Sequence, residues 1–360
     1  MPAIRPAAYL PVMALALLLF LASSTFASSG DRHGAFTNCH TACLPNCTHG
    51  ALPLYLRLLG WSCSGECSYV CAHHLTDLSD SGYEHYHQFF GKWAFYRFMG
   101  AQEPASVIFS IGNAWIHWTG FKDVCSGLRK ENGLQWWLKL AALAQINTWV
   151  WSTVFHTRDL WWTERLDYFS ATVTIAITML YAVVRIFRLQ TPRATSPLLY
   201  PVCGVLALIV VGHFIYVSSL DHFPYGYHVA FAASLGMLGN LLWISWSVSF
   251  VARPSWFPVP YPTSPYSSSR PLSGGRSGNS SSNSSAAGSA PKTCWTPTVL
   301  VVLTLLAMSF EILDFPPFHR VLDAHALWHA ATIPLGAAWW AFLIKDANAM
   351  DEAYADKGRE

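Results

Sequence analysis

Two histidines lie four residues apart in the stretch DAHALWHAATIP, which runs from Asp323 to Pro334 at the start of an apolar segment. On a helix, His325 and His329 share one face about one turn apart, a spacing that allows two imidazoles to bind one metal ion. Ionisable side chains are costly inside a membrane and by default mark a functional site. The pair therefore raises the question of which residues complete such a site.

Three more candidates lie in the stretch WSTVFHTRDLWWTERLDYFS. Ser152 and His156 fall at the end of the second predicted apolar helix, and Asp167 falls at the start of the third. If successive helices alternate in direction, these residues share one membrane depth with the histidine pair. Three histidines, a carboxylate and a hydroxyl at one level are the components of a catalytic zinc site with an open fourth position.

Each residue type has a role in this chemistry. We expect His156, His325 and His329 to bind Zn²⁺, which lowers the pKa of a bound water to about 7. Asp167 would accept the proton of that water. Ser152 would donate to the oxyanion of a tetrahedral intermediate or act as the nucleophile, and we favour the first role because no free histidine remains as its base.

The same residues have structural interpretations. Ser152 could bond back to a carbonyl one turn earlier, Asp167 could cap the third helix, and the histidines could hydrogen-bond within the bundle. Those interpretations require separate coincidences at one level, so a zinc site is the preferred hypothesis. Glu311 and Asp314, at the end of the sixth helix, are candidates to hydrogen-bond a histidine, and Asp323 is expected to cap the last helix.

The composition indicates a membrane protein. Of 360 residues, 52% are hydrophobic and only 12% are charged, whereas soluble domains carry about 25% charged residues. The net charge of +2 is small, and no basic run is interleaved with aromatic residues as a nucleic-acid groove requires. We therefore expect no nucleic-acid partner.

Residues 1–27 are predicted to form a signal peptide. Arg5 precedes an apolar run from about Val12 to Ala22, and small residues surround Ala27. The apolar run is shorter than the roughly 20 residues of a spanning helix, which disfavours an uncleaved anchor. The region from residue 28 is therefore expected in the lumen of the secretory pathway.

The luminal region contains two cysteine triplets with identical spacing, and an even number of cysteines in an oxidising compartment predicts three disulfides. The sequence does not fix their pairing, and a zinc knuckle is the alternative. Asn46 begins an NCT sequon and is a candidate for glycosylation. The cysteines are Cys39, Cys43, Cys47, Cys63, Cys67 and Cys71.

Seven apolar segments follow, at residues 104–121, 134–156, 167–187, 197–218, 226–251, 296–313 and 324–344. Lysine and arginine are concentrated in the loops that a luminal N-terminus would place in the cytosol, so the positive-inside rule predicts seven crossings. The fold class is therefore an all-α membrane protein, a seven-transmembrane helix bundle with a small N-terminal disulfide-rich luminal domain. Residues 28–103 are expected to form the luminal region, residues 104–344 the helix domain and residues 345–360 a cytosolic tail. Within the helix domain, residues 267–292 are rich in serine and glycine and are expected to form a disordered cytosolic linker.

Other polar residues receive simpler predictions. Four histidines of the luminal region are expected at the surface, namely His73, His74, His85 and His87. Three cysteines at or near the cytosolic side are expected to be free thiols, namely Cys125, Cys203 and Cys294.

At the candidate site the chain resembles the post-GPI-attachment lipid-remodelling proteins, within the CREST superfamily of seven-helix membrane hydrolases. The superfamily pattern is S-x3-H, an aspartate opening the third helix, and H-x3-H in the last helix. It is matched by Ser152, His156, Asp167, His325 and His329. The stretches GKWAFYRF, QEPAS, WSTVFHTRD, DYFSA, LDFPP and LDAHALWH are similar to signatures of the narrower family.

The resemblance implies a phospholipase A2-type hydrolysis that removes the sn-2 acyl chain from the phosphatidylinositol of GPI anchors. It implies Zn²⁺ as cofactor, and GPI-anchored proteins and membrane lipids as partners. The location implied is the Golgi or endoplasmic reticulum membrane, with a luminal active site and a cytosolic C-terminus. The alternatives are a ceramidase-like amide hydrolase, which the signal peptide and cysteine domain disfavour, and a seven-helix receptor or GPI escort without catalysis.

Overall fold

A computed structural model describes residues 28–252, 257–258, 260–261 and 294–356. The predicted signal peptide and the predicted linker lie outside these residues. Within them, the regular secondary structure is helical apart from isolated β-bridges. The all-α class is confirmed.

The region predicted to be luminal, residues 28–103, is a small helical unit held together by disulfides, and it keeps the name luminal region below. Its helices are α1 (Gly34–Cys43), α2 (Leu54–Leu58) and α3 (Cys63–Asp80). The spacing of four places each cysteine triplet along one side of the chain, so an antiparallel arrangement pairs the triplets in reverse order. The three predicted disulfides are formed, and they join Cys39 to Cys71, Cys43 to Cys67 and Cys47 to Cys63. Asn46 is exposed, and its glycosylation stays a prediction.

Seven long helices occupy the seven predicted apolar segments. They are α4 (Pro104–Gly127), α5 (Gln135–Thr157), α6 (Trp161–Phe187), α7 (Leu199–Ser218), α8 (Tyr225–Ala252), α9 (Thr296–Leu313) and α10 (Ala324–Asp356). The five from α6 to α10 are long and apolar enough to cross a membrane, which indicates an integral membrane protein. Seven crossings stay a prediction, because α4 and α5 are not among the helices whose length and hydropathy suffice to cross a membrane.

Three helix boundaries differ from the predictions by more than two residues, and the first is the end of α4, which lies at Gly127 and not at residue 121. Helix α6 begins at Trp161 because the Leu160 N–H is capped by the Thr163 hydroxyl at 2.8 Å, so Asp167 lies inside the helix and does not cap it. Helix α10 continues past residue 344 to Asp356. The predicted cap of α10 is confirmed, since the Asp323 carboxylate accepts from the Ala326 N–H at 2.8 Å.

Six of the long helices pack in a ring. Going round it, α4 packs against α5, α5 against α6, α6 against α8, α8 against α9, α9 against α10, and α10 against α4 again. Helix α7 packs on the outside of α6. The ring brings the start of α10 to the end of α5, which is where the candidate site lies.

Helices α4 and α10 approach each other closely at glycines. A Cβ atom on Gly120 would lie 2.5 Å from the Trp340 ring, and one on Gly112 would lie 2.8 Å from Ile333. Any larger residue would push the two helices apart, as at other small-residue contacts between membrane helices. The close approach allows side chains of α4 to reach α10.

The luminal region is fastened to the loop between α9 and α10. Asp314 accepts hydrogen bonds from Gln88 and Trp93 at 2.8 and 2.9 Å, while Arg320 pairs with Asp77 and Asp80. Arg320 also donates to Nδ1 of His73 at 2.9 Å, and His73 Nε2 bonds to the Phe95 carbonyl at 3.0 Å. The prediction that His73 lies at the surface is therefore wrong, because this interface buries it.

The three other cysteines are free, as predicted. Cys125 is exposed, Cys203 is half-buried and Cys294 is buried.

Candidate metal centre

Three histidines from two helices converge at one end of the ring. His156 comes from the last turn of α5, and His325 and His329 come from the first turns of α10. One ring nitrogen of each lies within 4.8 Å of the corresponding atoms of the other two. His156 and His329 are buried, whereas about a third of the His325 side chain is exposed. The group is therefore enclosed except at His325.

Each histidine is held through its Nδ1 atom. His156 Nδ1 donates to Glu103 at 2.8 Å, and His325 Nδ1 donates to Glu311 at 2.6 Å. His329 Nδ1 lies 3.0 Å from the Ser110 hydroxyl. Because each Nδ1 atom has this partner, the Nε2 atoms are left to face a common ligand, as in metal sites with outer-shell carboxylates.

The distance between two of these Nε2 atoms fits a shared cation. His156 Nε2 and His325 Nε2 are 3.3 Å apart. In the neutral rings, whose Nδ1 atoms donate to the glutamates, the two Nε2 lone pairs face each other. Two nitrogens bound to one tetrahedral zinc ion at about 2.0–2.1 Å stand about 3.4 Å apart. A set of three imidazole nitrogens this close together is suited to Zn²⁺.

The Glu103 carboxylate, which accepts from His156, is also paired with a charged residue. Glu103 is buried, and its other oxygen accepts from the Lys92 ammonium group. Burial by itself raises the pKa of Glu103, but the charge of Lys92 and the hydrogen bonds from Lys92 and His156 outweigh it and hold that pKa below its ordinary value. Glu103 is therefore an anion at neutral pH, which keeps it an acceptor for His156.

Ser152 lies one turn before His156 and is buried. Its hydroxyl is 3.0 Å from the Ser110 hydroxyl, which in turn contacts His329. The described hydrogen bonds of Ser152 include none to an imidazole, so the arrangement gives Ser152 no direct base. The two hydroxyls form a short chain of donors beside the histidines.

Asp167 is brought to the same end of the ring by α6. It is half-buried, and its carboxylate is close enough to His325 for the two groups to interact electrostatically. Its carboxylate is not among the ligand atoms that lie within 4.8 Å of one another. This arrangement sets Asp167 beside the three-histidine group and not within it.

The structure adds residues for which the sequence reasoning gave no role. They are Glu103 and Ser110, which contact His156 and His329. Of the two residues predicted as partners of a histidine, Glu311 contacts His325, whereas Asp314 binds the luminal region. A signal for Glu103 was available. It is a carboxylate directly before Pro104, at the N-cap of α4, the helix that also carries Ser110.

A second group, His33, Glu84 and His87, lies in the luminal region. The Nδ1 atom of His33 accepts from the Ala35 N–H at 3.3 Å, so in neutral His33 the proton is on Nε2, 3.4 Å from Glu84. That protonated nitrogen has no lone pair for a metal. This group is a hydrogen-bonded cluster.

The fold and the site define a helical integral membrane protein with a buried three-histidine centre at one end of its bundle. The chain belongs to the Per1-like family, which matches residues 53–347. This confirms the resemblance drawn from the sequence motifs.

Similar proteins extend over nearly the whole chain. A Xenopus laevis protein named GPI-specific phospholipase A2-like PGAP3 is 32% identical over 345 residues, covering 93% of this chain and 95% of the relative. The Homo sapiens protein of the same name is 31% identical over 352 residues, covering 95% and 97%. A Schizosaccharomyces pombe protein named Protein PER1 homolog is 31% identical over 351 residues, covering 92% of each.

Proposed function

We propose that this protein is a zinc-dependent hydrolase of GPI-anchor lipid remodelling that cleaves the sn-2 acyl ester of the anchor's phosphatidylinositol. The observation that carries the proposal is the convergence of His156, His325 and His329, with each Nδ1 atom held by a partner. The names of the relatives supply the lipid class, a GPI-specific phospholipase A2-like activity.

The three histidines would hold the metal through Nε2. When bound, Zn²⁺ supplies Lewis acidity that polarises an ester carbonyl and acidifies water. Glu103, Glu311 and Ser110 orient the rings and keep the Nδ1 protons directed away from the shared centre. In the neutral rings of His156 and His325, the nitrogens that face the centre would then be free to bind the metal.

Asp167 and Ser152 would act on the reacting groups. Asp167 has a carboxylate beside the histidines and is suited to accept a proton from the attacking water and return it to the leaving alcohol. Ser152, with Ser110 behind it, would donate to the oxygen that becomes negatively charged. Because the hydrogen bonds of Ser152 include no imidazole, the oxyanion role is favoured over that of nucleophile.

The substrate would enter at the exposed edge of the centre. His325 and Glu311 are each about one-third exposed, and Glu311 is followed in α9 by Ile312 and Leu313, whose side chains are exposed. A polar edge next to an apolar surface suits a lipid ester, whose chains stay in the bilayer while its carbonyl reaches the centre. GPI-anchored proteins and membrane lipids are the partners this implies.

The orientation that we propose follows from the disulfides and the loop charges. Three disulfides require an oxidising compartment, so the luminal region and the site beside it belong in the lumen of the endoplasmic reticulum or Golgi. Seven crossings would then put the C-terminus in the cytosol.

The test is hydrolysis by purified, full-length protein in lipid nanodiscs that contain a GPI-linked substrate. We expect release of one fatty acid and a lyso-GPI product, both identified by mass spectrometry, and no release by the His325→Ala/His329→Ala double variant. Ceramide in matched nanodiscs should remain intact. Zinc-loaded protein that binds the GPI lipid without releasing fatty acid would contradict the proposal and favour an escort or receptor.

A further inference from the structure

Lys92, a residue of the luminal region, places its ammonium group between the start of α4 and the end of α5. It closes a tight turn in which the backbones of Phe89 and Lys92 exchange hydrogen bonds of 2.7 and 3.0 Å. Phe90 and Gly91 between them have positive φ angles of 53° and 80°. The turn therefore fixes the direction in which the lysine leaves the backbone, and only 18% of its side chain is exposed.

The contacts of Lys92 converge on the residues next to His156. Its ammonium group pairs with Glu103 and lies 3.1 Å from Asp159. It also lies 3.9 Å from the centre of the Phe155 ring, which is a cation–π contact. Lys92 thus touches the residue before His156, the loop after it and the carboxylate bound to it.

Glu103 is shared between the lysine and the histidine. One oxygen accepts from Lys92 and the other accepts from His156 Nδ1 at 2.8 Å. The backbone links the same groups, because the Glu103 N–H donates to the His156 carbonyl at 3.0 Å. A buried carboxylate without a compensating charge is costly and would turn toward water or another donor.

We propose that Lys92 is a positioning residue of the metal centre, acting through Glu103 on His156. By neutralising Glu103 where it stands, Lys92 keeps the carboxylate aimed at His156 Nδ1 and so keeps His156 Nε2 turned toward the other two histidines. The luminal region is then a part of the site and not only a cover over it. This inference rests on the proposed metal centre, but not on the identity of the lipid.

The chain offers a matched control in Arg97, from the same segment. Arg97 is 15% exposed and pairs with Glu66 at 2.5 and 2.8 Å, over the rings of Trp61 and Tyr69. It resembles Lys92 in burial and in its ion pair, but it contacts neither Glu103 nor a histidine of the centre. Arg97→Met therefore loosens the luminal region without touching the site.

The experiment measures zinc affinity by competition with a chromogenic chelator, using full-length protein purified in detergent without reductant. Lys92→Met should weaken zinc binding by roughly 10- to 100-fold, the usual cost of losing an outer-shell partner. Lys92→Arg should restore most of the affinity, and Arg97→Met should bind zinc as the wild type does. With cobalt(II) in place of zinc, Lys92→Met should also change the visible spectrum.

A double-mutant cycle guards against a variant that is merely misfolded. Glu103→Gln keeps the shape of the side chain, and the Lys92→Met/Glu103→Gln pair should cost clearly less than the sum of the single losses, because both changes break one chain of contacts. Wild-type affinity in Lys92→Met, additive losses, or an equal loss in Arg97→Met would each overturn the positioning role.

The outcomes also separate this inference from the proposed reaction. A wild-type protein that binds no zinc would overturn both. A Lys92-dependent zinc site in a protein that releases no fatty acid would support the positioning role and overturn the reaction alone.

Discussion

His156 and His325 face each other through their Nε2 atoms, 3.3 Å apart, while the Nδ1 atom of each donates to a glutamate. When both imidazoles are neutral, this arrangement turns their Nε2 lone pairs toward each other, and a cation bound between them would stabilise it. Glu103 and Glu311 thus determine what the pair can bind.

The purified protein should contain about one zinc ion per chain. Elemental analysis of the wild type and of the His325→Ala/His329→Ala double variant measures this directly, and the double variant should be nearly free of metal because a three-donor site loses two donors. Full zinc content in the double variant would show that the ligands lie elsewhere.

Asp167→Asn should keep the zinc but lose most of the activity. The amide has nearly the shape of the carboxylate and cannot accept a proton, and removal of a general base typically lowers the rate about 10²- to 10⁴-fold. The measurement is the rate of fatty-acid release, normalised to bound zinc. A variant with near wild-type turnover would remove Asp167 from the mechanism.

Ser152→Ala should cost less, on the order of 10²- to 10³-fold, as expected for one lost oxyanion donor. A serine nucleophile would instead leave almost no activity and would form an acyl-enzyme. Mass spectrometry of wild-type protein quenched during turnover distinguishes the two. An acyl group found on Ser152 would contradict a mechanism in which water attacks the ester, even if the zinc ligands are correct.

Thiol labelling of denatured, non-reduced protein should modify only Cys125, Cys203 and Cys294, because the other six cysteines form disulfides. Peptide mapping after labelling identifies the sites. Reduction before denaturation should expose all nine cysteines and lower the melting temperature, since each disulfide removed from a small domain costs about 2–5 kcal/mol. Nine labelled cysteines without reductant would contradict the disulfides and the luminal placement.

The stability of the luminal region should fall as the pH drops below about 6.5, the ordinary histidine pKa. Burial and the neighbouring Arg320 guanidinium lower the pKa of His73, so protons bind more readily to the unfolded state, and stability is lost between the ordinary pKa and the lowered one. His73→Gln should flatten this pH dependence in thermal melts. The exposed neighbour supplies the control, because His74→Gln should leave the slope unchanged.

An ion pair at the opposite end of the bundle should stabilise the fold. Arg185 and Asp346 are both buried and form two hydrogen bonds of 2.5 and 2.6 Å between α6 and α10. Asp346→Asn would leave a buried guanidinium unpaired, at a cost of about 3–5 kcal/mol. Asp351→Asn, which breaks the pair with the largely exposed Arg129, should cost less than about 1 kcal/mol. Equal melting temperatures for the two variants would refute the difference.

The sequence by itself determined those features that depend on local periodicity. The i, i+4 spacing fixes His325 and His329 on one face of α10, and the length of each apolar run fixes seven long helices. The even count of cysteines in the luminal region fixed three disulfides, but not the pairing of Cys39 with Cys71. Each of these inferences uses only geometry that repeats along a helix or a property that is counted.

Only the tertiary structure decided which partner holds each histidine. Glu103 and His156 are 53 residues apart, and Ser110 and His329 are 219 residues apart, so no helical periodicity relates them. Their contacts depend on how the ring closes and on how closely glycines let α4 approach α10. The same holds for Lys92, which reaches the site because a loop outside the helices folds back onto their ends.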